Sequence, residues 1–376
     1  MHSQNLFDAQ ANIKVIGVGG GGCNAVNRMI AARLIGVKFV AMNTDVQALS
    51  QSRAGQRLQL GSEVTSGLGS GGDPNVGEQA ARESLRDIER LVEGADMVFV
   101  TAGMGGGTGT GAAPVVAEVA KSRGILTVGV ATKPFAFEGP KRRRQAEIGA
   151  EKLRENVDTL ITVPNDRLVD ITERSTTLVE AFRLADDVLR FGVQGISEII
   201  LTPGLINVDF ADVRSVMTDA GVAMMGLGFG RGPDRARLAA DAAASSRLLE
   251  TDINGAKRLL VNIATGPDFT LAEANAAMER LLQFVDPDDS DIIMGHVVKE
   301  DLGEEIHITV LAAGMGSQRH RSRGAILESS LSMPEMLAEP VSRELSAREE
   351  QAAPVGVTSA ESLDIPTFLR RQRDVR

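Results

Sequence analysis

The strongest constraint in the sequence is a glycine-rich stretch, Gly103–Gly111, which reads G-M-G-G-G-T-G-T-G. The apolar run Met97–Val100 precedes it, and apolar residues at helical spacing follow from Ala112. This order predicts a buried strand, a glycine loop and a helix. Glycine lets the backbone approach a bulky anion, and a helix start adds unpaired N–H groups and a partial positive charge. The stretch is therefore predicted to cradle an oligophosphate.

A flexible linker is the alternative interpretation of Gly103–Gly111. Linkers are polar and lie between domains, whereas this stretch lies between an apolar run and a helical pattern. It also differs from the P-loop G-x-x-x-x-G-K-[ST], because no lysine follows its glycines. A phosphate cradle of another kind is the better interpretation.

Composition narrows the class of protein. The 376 residues are enough for about two domains and a tail, and 43% of them are hydrophobic, which is enough for buried cores. A net charge of −10 argues against nucleic acid as the main partner. The single cysteine, Cys23, allows no internal disulfide framework. Residues 1–12 lack the apolar run of a signal peptide and no apolar stretch reaches about 18 residues, so we expect a cytoplasmic protein without direct membrane insertion.

A second glycine motif, Gly17–Gly22, satisfies G-x-G-x-x-G between a predicted strand, Ile13–Val18, and a helix predicted from Cys23. Many nucleotide-binding α/β proteins share this motif. Another predicted strand, Val37–Met42, ends at N-T-D, whose Asp45 either holds a ribose hydroxyl or forms a polar turn. The glycine-rich loop at 59–72 is interpreted as a flap over the nucleotide or as a surface loop.

Charged and aromatic residues follow the later strands. Glu138 and Arg142 are four residues apart, so on a helix they would share a face, as nucleotide contacts or as part of a solvated surface. Apolar residues recur at three- and four-residue steps from Phe182 to Ile200, which predicts a helix long enough to be a spine between two domains. Asp186 and Asp187 are an ordinary acidic first turn, or one of their carboxylates accepts from the two adjacent donors of a guanine stacked on Phe182.

A second unit is predicted after the helix break at Pro203-Gly204. Its alternating strands and helices indicate a small α+β domain, in which strands 291–298 and 305–312 form an antiparallel pair. Asp209 and Asp212 lie at the start of a new helix, where a capping role is the simple interpretation. From Ser317 the composition is typical of a disordered linker. The chain then ends in an apolar and basic cluster, interpreted as a partner-binding peptide or as a frayed terminus.

Taken together, the motifs resemble those of the tubulin/FtsZ GTPase family. The G-G-G-T-G-T-G at Gly105–Gly111 is similar to the family signature. Five further segments look like those of its bacterial cell division members: Gly17–Val26, Asn43–Asp45, Pro164–Leu168, Asn207–Arg214 and the tail peptide Asp364–Arg371. The similarity runs almost without interruption from residue 13 to residue 316.

The resemblance implies a tubulin/FtsZ fold: a Rossmann-like, doubly wound α/β GTP-binding domain, a long central helix and a smaller α+β domain. The implied ranges are 13–175 for the GTP-binding domain, 176–202 for the helix and 203–316 for the second domain. A disordered segment at 1–12, a disordered linker at 317–361 and a partner peptide at 362–376 complete the chain. The implied function is a GTPase that polymerises head to tail and forms the cytokinetic ring at mid-cell, with membrane adaptors and regulatory division proteins bound through Asp364–Arg371.

The resemblance also assigns roles by position. It gives the GTP or GDP phosphates to Gly20, Gly21, Gly22, Cys23, Asn24, Gly107, Thr108 and Gly109. Glu138 and Arg142 would lie at the ribose and phosphates, and Phe182 and Asp186 at the guanine with help from Asn24. Asp209 and Asp212 would be catalytic in the neighbouring subunit's site. That assignment would explain why the cradle offers no evident group to orient a water. Mg²⁺ would bind mainly through the phosphates, without dedicated protein ligands.

Three alternatives stay open at this point. A nicotinamide-dependent oxidoreductase follows from Gly17–Gly22 alone, but it leaves the second glycine loop and the tail peptide without a purpose. A GTP-binding structural protein without hydrolysis is opposed by the intact Asp209 and Asp212. Departures from the usual family pattern, such as Cys23 and Ser246–Leu248, allow a paralogue that binds GTP and assembles without being the principal division protein. Cys23 itself is interpreted as a small apolar filler rather than as a redox site.

Overall fold

The computed structural model describes residues 11–314, except 171, 174, 203, 250–252, 254 and 286–288. The predicted N-terminal segment (apart from residues 11 and 12), the linker at 317–361 and the peptide at 362–376 with Asp364–Arg371 lie outside the described residues. Strands and helices alternate along the described chain, which confirms the α/β class.

Six parallel strands form the first part of the sheet. They are β1 (Ile13–Val18), β2 (Val37–Asn43), β3 (Gln56–Gln59), β4 (Met97–Gly103), β5 (Leu126–Lys133) and β6 (Thr159–Pro164), in the order β3-β2-β1-β4-β5-β6. Their apolar runs are nearly continuous because helices cover both faces of the sheet. Every residue of β1 is buried, with Val15 packed in one core and Ile16 in the other.

Eight helices connect these strands. They are α1 (Gly19–Ala31), α2 (Val46–Ser50), α3 (Ser62–Thr65), α4 (Pro74–Glu83), α5 (Leu85–Val92), α6 (Thr108–Ser122), α7 (Pro140–Glu155) and α8 (Asp166–Val169). The apolar residues Ala81, Leu85, Ile88 and Val92 keep a helical spacing but lie on two helices, α4 and α5. The helix is interrupted at Ser84, because the Ser84 hydroxyl turns inward and accepts from the backbone N–H of Gly61 at 3.0 Å.

A long helix, α9 (Leu178–Leu201), packs against both parts of the sheet and confirms the predicted central helix. A capping box formed by Thr177 and Glu180 fixes its start. Its 24 residues correspond to a length of about 36 Å. Glycine on its inner face permits close packing, since a Cβ on Gly195 would lie 2.7 Å from the Thr309 methyl.

The second half of the chain adds four strands to the same sheet. Its elements are α10 (Phe210–Met217), β7 (Gly221–Gly230), α11 (Arg235–Ala244), β8 (Arg258–Thr265), α12 (Leu271–Leu282), β9 (Asp291–Val298) and β10 (Ile306–Ala313). The order continues as β6-β7-β10-β8-β9. β6 and β7 are parallel and paired only over Thr159–Ile161 with Gly221–Ala223.

The predicted antiparallel pairing of the last two strands is wrong. β9 lies at the end of the sheet and runs parallel to β8, whereas β10 inserts between β7 and β8 and is antiparallel to both. The reason lies in burial: the almost continuously apolar β10 suits a central position, while the partly exposed β9 suits an edge. The polar segment between them therefore crosses β8 instead of forming a hairpin.

Candidate nucleotide-binding site

Both glycine motifs meet at one edge of the sheet. β1 and β4 are parallel neighbours that end side by side, so α1 and α6 begin next to each other. A Cβ on Gly19 would lie 2.7 Å from the backbone N of Gly109, and a Cβ on Gly109 would lie 2.7 Å from the carbonyl O of Gly103. Only glycine permits this approach of three backbone segments.

The two helix starts form an anion site. Neither α1 nor α6 has a side-chain cap or an acidic residue in its first turn. Their first N–H groups are therefore left for a ligand, and both helix dipoles favour negative charge at the same place. This edge therefore has the free helix starts that the sequence predicts for a backbone anion site.

Three buried hydroxyls surround the start of α6. The Thr108 Oγ1 lies 2.6 Å from the Thr44 Oγ1 and 3.0 Å from the Ser70 Oγ. Ser70 belongs to the glycine-rich loop at 59–72, so this loop packs onto the cradle. Asp45 fits the turn alternative, because its carboxylate caps α2 by accepting from the N–H of Gln47 at 2.8 Å.

The first glycine motif lies in the first turns of α1, which follows β1 directly and begins at Gly19 instead of at the predicted Cys23, and its residues are presented unevenly. Gly20 and Asn24 are exposed, Gly21 is half-buried, and Gly22 and Cys23 are buried. The Cys23 Sγ points inward, 3.7 Å from the carbonyl oxygens of residues 17 and 42, and burial raises the pKa of this thiol to about 12. Only the backbone of Cys23 can face an anion, which fits its interpretation as a small apolar filler.

Glu138 and Arg142 form an ion pair beside the second glycine loop. Glu138 is held because it also accepts from the backbone N–H of Phe135 at 2.9 Å. A Cβ on Gly105 would lie 2.9 Å from the carbonyl O of Arg142, so the first turn of α7 rests against the loop. Arg142 keeps about half of its side chain exposed, next to the anion site.

An aromatic cluster lies at the start of α9. The ring centroid of Phe182 is 5.5 Å from that of Phe135 and 6.5 Å from that of Phe137, both edge to face. One helical turn later, Asp186 is half-buried, and this burial raises the pKa of its carboxyl to about 7 despite the opposing charge of Arg28. A flat ring with adjacent N–H donors would find both a stacking surface and an acceptor here.

Asp209 and Asp212 do not join this site within the chain. Asp209 caps α10 by accepting from the N–H of Asp212 at 2.9 Å, so the capping interpretation is confirmed, and both residues are exposed. Farther along α10, Arg214 donates to the carbonyl O of Asp96 at 3.4 Å, immediately before β4. α10 therefore lies where β4 begins, and the glycine loop lies where β4 ends. The seven residues of β4 separate the two edges by about 20 Å.

Comparisons with known proteins place this site in a family. Residues 12–173 match the GTPase domain of the Tubulin/FtsZ family, and residues 221–316 match the C-terminal domain of the FtsZ family. A nucleotide-free FtsZ dimer from M. jannaschii is 42% identical, covers 83% of this chain and 90% of its own, and superposes with a TM-score of 0.79. The chain belongs to the tubulin/FtsZ family of GTPases. The oxidoreductase alternative is therefore wrong.

More distant structures share the fold alone. Two proteins from Haloferax volcanii, a GDP-bound CetZ1 monomer and a CetZ2 protofilament with GTPγS, are each 21% identical to this chain. Their TM-scores are 0.70 and 0.68, over 81% and 80% of this chain and 95% and 92% of their own. Within the described part of this chain, no helix combines the length and apolarity needed to cross a bilayer.

Sequence reasoning missed three polar residues at this edge. Thr44 lies in the N-T-D motif and Ser70 in the glycine-rich loop at 59–72, but the sequence patterns pointed to Asp45 and to the glycines instead. Asn165 follows β6, is buried, and its Oδ1 finds no hydrogen-bond partner among the described residues. An unpaired buried acceptor is costly unless a ligand or water completes it. The sequence signal that could have identified Asn165 is the family-like segment Pro164–Leu168, which reads P-N-D-R-L.

Proposed function

We propose that this protein is a cytoplasmic GTPase that assembles head to tail into protofilaments and forms the cytokinetic ring at mid-cell. One observation carries the proposal: the anion site and the exposed pair Asp209 and Asp212 lie at opposite edges of one sheet. A single chain cannot bring them together, but a second copy stacked in the same orientation can. GTP hydrolysis then takes place at the interface between subunits.

The nucleotide roles follow from the site. The backbone N–H groups of residues 20–24 and 107–109 hold the phosphates, and the hydroxyl of Thr108 donates to the same charge. Arg142 and Glu138 lie at the phosphates and ribose. Phe182 stacks on the guanine while Asp186 and Asn24 bind its edge.

Mg²⁺ fits the site as a companion of the nucleotide. Among the described residues, no three His, Cys, Asp or Glu side chains cluster closely enough to hold a metal ion. Mg²⁺ readily keeps waters and uses phosphate oxygens as ligands, so the nucleotide supplies most of its coordination. Bound there, it would neutralise negative charge on the nucleotide phosphates.

Exposed apolar residues at the two edges support stacking. Leu68 is 86% exposed on the loop that packs onto Thr108, and Leu205 is 75% exposed just after α9. The end of α9 lies at the edge where the parallel strands begin, because a Cβ on Gly36, just before β2, would lie 2.8 Å from the Leu201 side chain. Two different faces that meet in this way form a heterologous contact, which builds an open filament when the rotation does not close.

Phosphate release measured against protein concentration tests the proposal. With Mg²⁺ and GTP, we expect a rate per molecule near zero at low concentration that rises above a threshold. A rate that does not change with concentration would mean that each chain is catalytically complete.

Asp212→Ala should keep GTP binding but lose most turnover, because its carboxylate acts in the next subunit. A control is Asp234→Ala, which removes an exposed carboxylate at the start of α11 that makes no capping bond. Equal loss of binding and turnover in Asp212→Ala would contradict action in the neighbouring subunit.

The tail peptide Asp364–Arg371 is proposed to bind membrane adaptors and regulatory division proteins. Deleting residues 364–376 should spare polymerisation measured by light scattering. An isolated peptide of this sequence should bind such an adaptor in fluorescence anisotropy, whereas a peptide with Ile365, Phe368 and Leu369 changed to Ser should not. Equal binding of the two peptides would refute this role.

A further inference from the structure

The loop that carries Asp209 rests on the edge strand of the sheet. β9 ends the strand order, so one side of its backbone has no strand partner. The loop covers this side at a single antiparallel bridge, in which the N–H of His296 donates to the carbonyl O of Ile206 at 3.0 Å. Exposed strand edges are usually covered in this way.

Two glycines allow the loop to lie this close. A Cβ on Gly204 would lie 1.6 Å from the carbonyl O of His296, so no other residue fits there without moving the loop. On the strand, a Cβ on Gly295 would lie 3.3 Å from the Val208 methyl. The loop therefore touches β9 on both sides of the bridge, immediately before Asp209.

The ring of His296 is fixed on the opposite side of the bridge. It is 3% exposed, and its Nε2 lies 2.8 Å from the Thr265 Oγ1. Thr265 already donates its hydroxyl proton to the carbonyl O of Gly266 at 2.9 Å, so its oxygen must accept from a protonated Nε2. The ring also stacks on Phe269, with centroids 5.0 Å apart and an angle of 18°.

We propose that His296 is a positioning residue for GTP hydrolysis: its fixed ring sets the place of the 204–209 loop and hence of Asp209 and Asp212 in the neighbouring subunit's site. This inference rests on the proposed function. The inference adds that β9 of one subunit sets the geometry of the nucleotide site in the neighbouring subunit. It does so through His296, which touches no nucleotide. The nucleotide-binding edge of the same chain has no part in this contact.

Replacing the ring tests the proposal. In His296→Ala we expect turnover per assembled subunit to fall about 10- to 100-fold, because misplacing a catalytic group by about 1 Å has effects of this size. The KM for GTP, the affinity for GDP and the assembly threshold should stay at wild-type values. His296→Gln should recover most of the turnover, because its amide Nε2 can donate to Thr265.

Further variants separate positioning from loss of structure. Gly204→Ala pushes the loop off β9 without changing the ring, so it should give the same fall in turnover with unchanged nucleotide affinity. If His296→Ala does not fold by circular dichroism, Thr265→Val decides the question, because it removes the partner of the ring Nε2 and leaves the imidazole in the chain. His307→Ala is the matched control: it removes an imidazole from β10 that packs on Phe229 and makes no bond to the loop.

The outcomes distinguish this inference from the proposed function. If Asp212→Ala keeps wild-type turnover, the shared active site is refuted and the inference falls with it. If Asp212→Ala loses turnover while folded His296→Ala and Gly204→Ala keep it, only the role of His296 is refuted. Parallel loss of GDP affinity in His296→Ala, or a failure of His296→Gln to recover turnover, would also overturn positioning by the ring.

Discussion

The proposed role of Asp186 at the guanine predicts that nucleotide binding depends on pH, because the pKa of its carboxyl is raised. Burial places this pKa at about 7, and only the ionised carboxylate can accept from two N–H donors. Binding that selects the charged form must strengthen as pH rises through 7. The ionised fraction is about nine-tenths at pH 8 and about one-tenth at pH 6 for a group with this pKa. We therefore expect GDP affinity to fall about tenfold from pH 8 to pH 6, or about 1.4 kcal/mol.

Titration of a fluorescent GDP analogue at pH 6, 7 and 8 measures this dependence. The terminal phosphate of the nucleotide also titrates near pH 6, so the wild-type curve alone is not decisive. Asp186→Asn keeps the shape of the side chain and removes its proton, and it should bind more weakly at pH 8 with a flatter response to pH. If wild type and Asp186→Asn show the same pH dependence, the carboxylate does not bind guanine in its ionised form.

Two other substitutions test the cradle and the second half of the chain. Gly109→Ala places a Cβ 2.7 Å from the Gly103 carbonyl, so GTP affinity should fall at least tenfold in a filter-binding assay. The control Gly55→Ala lies outside both glycine motifs, has open space within 4 Å and should bind normally. A buried Arg235 lowers the pKa of Glu273 to about 2. This pair stabilises the fold above pH 4.5, and the stabilisation is lost as pH falls toward 2. The shift corresponds to at most about 3 kcal/mol, and screening of the 19% exposed carboxylate reduces it to about 1–2 kcal/mol. Glu273→Gln should therefore lower the urea midpoint at pH 7 and much less at pH 3; an equal effect at both would refute the ion pair's role.

Local signals were sufficient to place the two glycine motifs of the nucleotide edge. Apolar runs followed by Gly17–Gly22 and Gly103–Gly111 predicted two strand–loop–helix units. β4–α6 has this form, whereas α1 begins at Gly19, directly after β1 and before the predicted start at Cys23. Glycine spacing and apolar periodicity act over a few residues, so the sequence records them directly. The long central helix was predicted for the same reason, because its apolar residues keep one period from Phe182 to Ile200.

The spacing of residue types along the chain could not predict which strands and side chains pair across long stretches of sequence. The segment between β9 and β10 crosses β8 because the apolar content of β10 suits a central strand. That preference depends on the whole sheet rather than on the residues that connect the two strands. Ser70 reaches Thr108 across 38 residues, and neither residue type announces the contact. The raised pKa of Asp186 also depends on burial that only the folded chain creates.

The sheet is continuous, but the number of paired residues between neighbouring strands varies across it. β7 and β10 pair from Ile306 to Ala312, whereas β6 and β7 pair at only three positions, Thr159–Ile161. Because the fewest hydrogen bonds must lengthen there, we expect the two halves of the sheet to bend against each other most readily between β6 and β7. Each subunit of the proposed filament would contribute one such joint. Small rotations would then add along the polymer, so the short β6–β7 pairing, together with α9 packed across both halves, would influence how sharply it curves.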